Sequence, residues 1–90
     1  MSANLVAIVR ATKQSAMAIR AMARHGRDLS VARDTIARNG RLYNSGRMQY
    51  EDAARSNEVH SARMHAAGRM LRLAAARYAR AQAILDTTPI

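Results

Sequence analysis

The chain has 90 residues, with fifteen Lys and Arg against six Asp and Glu, a formal net charge of +9 and no cysteine. This length accommodates one small domain. The absence of cysteine excludes disulfide frameworks, thiolate zinc sites and thiol catalysis. Such a positive field favours nucleic acid, an anionic membrane or an acidic protein surface as the partner.

Helix-forming residues dominate the sequence, and no segment alternates polar and apolar residues with period two, so we predict an all-α fold. In chain order we expect a helix over about 3–25, capped by Ser2, a short helix over about 28–39, a turn over 40–46 and a long helix over about 48–85. Gly26 is where the first arm would break, and Pro89 stops the last helix. We interpret 1–90 as a single helical domain.

An apolar seam in alternating steps of three and four runs along the long helix, which is the spacing of a left-handed coiled coil. Small residues beside this seam allow a second helix to approach closely. The first helix has a matching seam, so we predict an antiparallel helical hairpin with an Ala-rich, coiled-coil-like contact, folded back around residue 43. The predicted seam and assembly residues are Leu5, Ile8, Ile19, Met22, Tyr50, Asn57, His60, Met64, Leu71, Tyr78 and Leu85.

Several apolar residues, among them Val6, Met17 and Leu73, fall outside this seam. A bare two-helix hairpin of this size is marginally stable. We therefore expect either that hairpins self-associate as a homo-oligomer or that a break near Gly26 gives three helices in one chain. We favour self-association.

The positive charge is concentrated in two acid-free blocks, residues 1–27 and 59–85, whereas residues 28–58 carry as many acids as arginines. A hairpin brings the two blocks to the same end, and their cations take positions outside the seam. We therefore predict a cationic end that binds a polyanion. The residues predicted to bind nucleic acid are Arg10, Lys13, Arg20, Arg24, Arg63, Arg69, Arg72, Arg77 and Arg80.

Phosphate contacts need only Arg and Lys, whereas single-strand binders add aromatic stacking platforms. Tyr43, Tyr50 and Tyr78 all fall on seam positions, so we expect contacts to duplex phosphates without strong sequence preference. An acidic protein surface is the alternative partner. A membrane ranks third, because the apolar face of the first helix lacks aromatic residues and is used in the seam.

No catalytic motif is present, and we expect neither enzymatic activity nor a cofactor. His60 and His65 are five residues apart and project from different sides of a helix, so we predict no metal site. We interpret His60 and Asn57 as a polar layer of the seam that sets register or oligomeric state.

Residues 1–27 are rich in Arg and free of acid, as in a mitochondrial presequence, but we interpret them as part of the mature fold. We expect neither a secretory signal nor a transmembrane segment, because the longest apolar run, residues 5–9, is too short for either. We expect an intracellular location or one inside a virion-like assembly. The prediction is a non-catalytic, basic helical assembly protein, nucleoid-like or virion-internal. The alternative is a protein-interaction module, that is, an adaptor, inhibitor or structural subunit.

Overall fold

The computed structural model describes residues 2–89, and over that range the chain forms helices and no strands. Two long helices, α1 (Ala3–Asn44) and α2 (Tyr50–Thr87), contact each other as the two arms of a hairpin. The all-α helical hairpin predicted from the sequence is confirmed at this level.

The first arm is a single helix of 42 residues that continues through Gly26 and Gly40. The sequence analysis gave a break near Gly26 as the alternative to self-association, and it placed a short helix over 28–39 and a turn over 40–46. α1 is instead continuous over Ala3–Asn44. Glycine inside a helix costs only about 1 kcal/mol relative to alanine, which packing of the neighbouring turns against α2 offsets. Asn39 does not end the helix either, because its side chain is buried and bonds to α2.

The two ends of α1 are closed by local sequence. At the start, the Leu5 amide donates a hydrogen bond of 3.1 Å to Ser2 Oγ, the predicted cap. At the end, Gly46 has a φ of +74°, and the Arg47 amide donates to the Leu42 carbonyl at 2.8 Å. This bond spans five residues and belongs to the Schellman motif, in which a left-handed glycine terminates a helix. The turn therefore begins at Ser45 rather than at residue 40.

α2 begins with Glu51 and Asp52 in its first turn, where negative charge is favourable to the helix dipole. At the other end the Thr88 amide still donates to the Ile84 carbonyl at 3.0 Å. Pro89 follows and has no amide hydrogen with which to continue the pattern.

Tertiary contacts divide the chain into two units, each with one segment from either helix. Unit 1 is Met1–Arg24 with Met70–Ile90, and unit 2 is His25–Arg69. The buried hydrophobic residues of the described chain are all alanines: Ala11, Ala18, Ala74 and Ala81 in unit 1, and Ala32, Ala53 and Ala67 in unit 2. No large side chain between residues 2 and 89 is fully buried.

On α2 the predicted seam residues are buried or half-buried, with Tyr50 as the exception. Tyr50 is the first residue of the helix and is 68% exposed. Its ring packs edge-on against Tyr43, with the ring centroids 5.9 Å apart. Both tyrosines therefore lie at the turn rather than inside the helix contact.

On α1 the row that faces α2 differs in part from the predicted one. Its buried or half-buried members are Ile8, Ala11, Ser15, Ala18 and Met22. The predicted Leu5 and Ile19 are 45% and 50% exposed instead. The distance between helix axes depends on the side chains at the contact, and alanine permits a closer approach than leucine or isoleucine. The larger side chains consequently lie at the edge of the contact.

Candidate nucleic-acid interface

The nine cations predicted to bind nucleic acid are all exposed. Unit 1 contains seven of them: Arg10, Lys13, Arg20, Arg24, Arg72, Arg77 and Arg80. The other two, Arg63 and Arg69, belong to unit 2. Unit 1 has a single acidic residue, Asp86, so it carries most of the net charge of the chain.

The positive charges of unit 1 are not compensated by ion pairs. Between residues 2 and 89 the one ion pair joins Arg55 to Asp52 in unit 2, at 3.7 Å. Arg63 donates from Nη1 to Nδ1 of His60 at 3.3 Å. The cations of unit 1 therefore present their full charge to solvent.

A groove of about 440 Å³ lies between the α1 and α2 segments of unit 1. Four of its lining residues are small or apolar, and two are arginines of α2. The lining consists of Gln14, Met17, Ala18, Ala21, Ala74, Arg77 and Arg80. The groove thus combines an apolar lining with two guanidinium groups.

Arg10 and Arg24 flank this groove on the α1 side. They lie seven residues before and after Met17, which is about two helical turns, so all three occupy the same row of the helix. We call the surface formed by Arg10, Arg24, Arg77 and Arg80 the basic face. It contains no acidic residue, since Asp86 lies in another row of α2.

The basic face has dimensions suited to a phosphate backbone. Arg10 and Arg24 are fourteen residues apart, which corresponds to about 21 Å along the helix axis. Successive phosphates on one DNA strand are separated by roughly 3.4 Å of helix axis, so the face spans about six of them. Guanidinium groups bind phosphate with two parallel hydrogen bonds.

The structure does not bring all nine predicted cations onto this face. Lys13 and Arg20 lie on the side of α1 that points away from α2, and Arg72 lies in a row of α2 that does not line the groove. Arg63 and Arg69 belong to the other unit. The predicted cationic set therefore divides into four arginines on one face and five cations elsewhere.

The tyrosines differ from the sequence-based interpretation, which placed all three on the seam. Tyr78 is half-buried, but Tyr43 and Tyr50 are 47% and 68% exposed. Tyr50 is followed directly by Glu51 and Asp52. Two carboxylates beside an exposed ring repel a phosphate backbone, so this pair is a poor stacking platform for a nucleic-acid strand.

Polar side chains bond across the helix contact in each unit. In unit 1, Gln82 donates from Nε2 to Ser15 Oγ at 3.2 Å. In unit 2, Asn39 donates to Asn57 Oδ1 at 3.0 Å. Asn57 therefore takes part in a polar contact as the sequence suggested, but with Asn39, whereas His60 bonds within its own helix. The sequence predicts that a helix ends at residue 39, whereas Asn39 lies seven residues after Ala32 in the row that faces α2 and α1 continues to Asn44.

Neither helix within residues 2–89 contains a segment long and apolar enough to cross a membrane. In the same range, no three His, Asp or Glu side chains converge as metal ligands. Comparisons of the chain with protein-family models, with curated proteins and with solved structures find no match.

Proposed function

We propose that this protein is a non-catalytic, basic helical assembly protein that binds duplex nucleic acid through its phosphates, as a nucleoid-like or virion-internal structural component. The basic face of unit 1 is the proposed contact surface. The observation that carries the proposal is the charge of unit 1, where seven exposed cations stand against one acidic residue.

The physical argument is the relief of self-repulsion. Cations within a Debye length, about 8–10 Å at moderate salt, repel one another, and a phosphate backbone replaces that repulsion by attraction. Binding also releases the counterions condensed on the nucleic acid. Gln14 is the one side-chain amide among the groove residues. Asn and Gln side chains commonly recognise the edge of adenine. Because the groove has only one such side chain, we expect little sequence preference.

We also propose that the helices meet through a coiled-coil-like seam and that hairpins self-associate. The 3–4 spacing of the half-buried α2 residues, from Asn57 to Leu85, supports the seam. The core of alanines supports self-association, because burial of alanine removes little apolar surface from water.

The test is fluorescence anisotropy with a random-sequence DNA duplex over a series of salt concentrations. We expect the logarithm of the affinity to fall linearly with the logarithm of salt, with a slope of roughly −0.9 for each phosphate contacted. Replacing the basic-face residues Arg10, Arg24, Arg77 and Arg80 by Gln should reduce that slope by up to about 3.6.

A matched control removes the same number of charges from unit 2, by changing Arg33, Arg38, Arg41 and Arg55 to Gln. The control should lose clearly less affinity than the basic-face variant, since both have the same net charge. Equal losses would mean that net charge alone determines binding and that the basic face has no special role.

A second candidate function rests on the groove. An apolar lining beside Arg77 and Arg80 also suits an amphipathic acidic segment of another protein. Under this alternative, wild-type binding to duplex DNA would vanish by physiological salt. An acidic amphipathic peptide would bind instead, and Met17→Glu would abolish that binding. Retention of duplex binding in Met17→Glu, together with its loss in the basic-face variant, would favour the nucleic-acid function.

A further inference from the structure

The apolar arc of α1 is wider than the strip that α2 covers. Beside the row that faces α2 runs a second strip, in steps of four and three, on the side of α1 away from the groove. We call this strip the outer seam. It consists of Leu5, Val9, Thr12, Ala16, Ile19 and Ala23, and all six residues are exposed.

The outer seam carries no charge, although α1 has four cations between Arg10 and Arg24. Its one polar side chain, Thr12, donates its hydroxyl hydrogen to the Ile8 carbonyl at 2.8 Å. Covering the strip would therefore leave no unpaired donor, and the usual cost of burying a polar group does not arise. Leu5, Val9 and Ile19, which are 42–50% exposed, would lose further apolar surface to a partner.

The accessible surface of the chain is large for its mass. It amounts to 6696 Å², whereas a folded monomer of 9.9 kDa is expected to expose about 5,200 Å². The excess of about 1,500 Å² is more than the roughly 800 Å² that each partner contributes to a stable interface. This excess is a property of the whole chain, and the outer seam contributes to it the exposed parts of six side chains.

We propose that the outer seam is the surface through which two copies of this chain associate, with α1 of one copy packed against α1 of the other. The inference rests on the self-association in the proposed function and names its surface. An uncharged apolar strip offers nothing to phosphates, so the nucleic acid is not its occupant. The outer seam repeats in alternating steps of four and three residues, so the same strip on a second copy can pack against it as in a coiled coil. A twofold pair uses the same strip on both copies.

Lys13 and Arg20 follow Thr12 and Ile19 in the sequence and border the outer seam. Association therefore brings like charges of the two copies near each other. Salt, or the phosphates of a bound nucleic acid, reduces this repulsion. Association through the outer seam should consequently become stronger when the basic residues are neutralised.

The test is sedimentation velocity of the full chain over a range of protein concentrations, without nucleic acid. The wild type should sediment as a dimer or larger species. The variant Val9→Glu with Ile19→Glu should associate more weakly by about tenfold or more, because it would bury unpaired carboxylates. The control is Val31→Glu with Val59→Glu, which adds the same charge at two valines of unit 2 that are 54% and 56% exposed. It should associate like the wild type.

A second measurement does not depend on whether the glutamate variant folds. The chain has no cysteine, so a single Ala16→Cys change on the outer seam provides a unique attachment point. A short bismaleimide should link two copies of Ala16→Cys efficiently. Ala76→Cys, at an exposed alanine of α2, should give little product at the same protein concentration.

Three results would overturn the inference: a monomeric wild type, equal association of the two glutamate variants, or equal cross-linking at both cysteines. A monomeric wild type that pellets with anionic vesicles, and loses this in Val9→Glu with Ile19→Glu, would assign the outer seam to a lipid surface. If the wild type assembles but the outer-seam changes have no effect, self-association stands and only its location is wrong. If the wild type is monomeric yet binds duplex DNA, the phosphate contacts stand without the assembly.

Discussion

The side-chain nitrogen of Asn39 lies 3.0 Å from Oδ1 of Asn57 and donates a hydrogen bond to it across the helix contact of unit 2. The same nitrogen donates to Ser56 Oγ at 2.8 Å. Asn39 is only 4% exposed. Both amide hydrogens are therefore used at a site from which water is largely excluded, and no side-chain polar atom buried there lacks a partner.

Asn39→Ala should lower the free energy of unfolding by about 1–3 kcal/mol, because it leaves two half-buried partners on α2, Ser56 and Asn57, without their donor. Urea unfolding followed by circular dichroism measures this. Asn39→Leu combined with Asn57→Leu should recover most of the loss, since replacement of both partners by apolar groups is nearly neutral. The control is Asn44→Ala at an exposed position. Equal stability of Asn39→Ala and wild type would show that the contact contributes nothing.

The sequence was sufficient for the all-helical hairpin. The predicted seam residues of α2 from Asn57 to Leu85 are half-buried, and they belong to the one continuous 3–4 repeat in the second half of the chain. It was insufficient for α1, where two adjacent rows, the row that faces α2 and the outer seam, are largely apolar. Which row α2 covers depends on how closely the axes approach, and Ala11 and Ala18 decide this only once both helices are in place. Asn39 and Gly40 form a strong local turn signal, and the partners of Asn39 lie seventeen and eighteen residues away.

The candidate site could be predicted in composition but not in arrangement. The sequence identified acid-free blocks and therefore the cations of unit 1. The grouping of Arg10 and Arg24 with Arg77 and Arg80 depends on which row of α1 faces α2, and the sequence left that undetermined. The exposure of Tyr43 and Tyr50 was missed because the turn begins at Ser45, outside the regular repeat.

Two glycines should respond to alanine in opposite directions. Gly46 has a left-handed φ of +74°, where an L-residue costs roughly 1–2 kcal/mol, so Gly46→Ala should destabilise the protein. Gly40 lies inside α1 with open space where a Cβ would be, and Gly40→Ala should stabilise it by about 0.5–1 kcal/mol. Thermal unfolding of both variants provides the comparison. Destabilisation by Gly40→Ala would indicate that α1 is interrupted there.

The alanine core should not tolerate larger residues. Ala74 is 3% exposed, between the two helices of unit 1. Ala74→Leu should destabilise the protein by about 1–3 kcal/mol, since the added atoms force the helices apart. Ala76→Leu, at an exposed position two residues later, should change stability by less than about 0.5 kcal/mol. Similar urea midpoints for the two variants would contradict the close helix contact.

Salt should act with opposite sign on the two proposed activities. Affinity for duplex DNA should fall as salt rises, because the release of each counterion into a more concentrated salt solution is less favourable. Self-association should strengthen over the same range, because screening reduces repulsion between chains of net charge +9. Anisotropy and sedimentation in matched buffers measure the two trends. A parallel decline of both would mean that association depends on ion pairs between copies.

The fact that the buried apolar residues are all alanines between residues 2 and 89 has a consequence for the alignment of the helices. Ala67, Ala74 and Ala81 recur every seven residues along α2, so if α2 slid by one repeat, alanine would again occupy two of these three positions. Such a slide would place Asn39 near Arg63 and Met64, or near Gln49 and Tyr50, instead of Ser56 and Asn57. A chain with leucine at position 39 would then be free to exchange between displaced alignments of similar energy, retaining its helices while losing a unique structure.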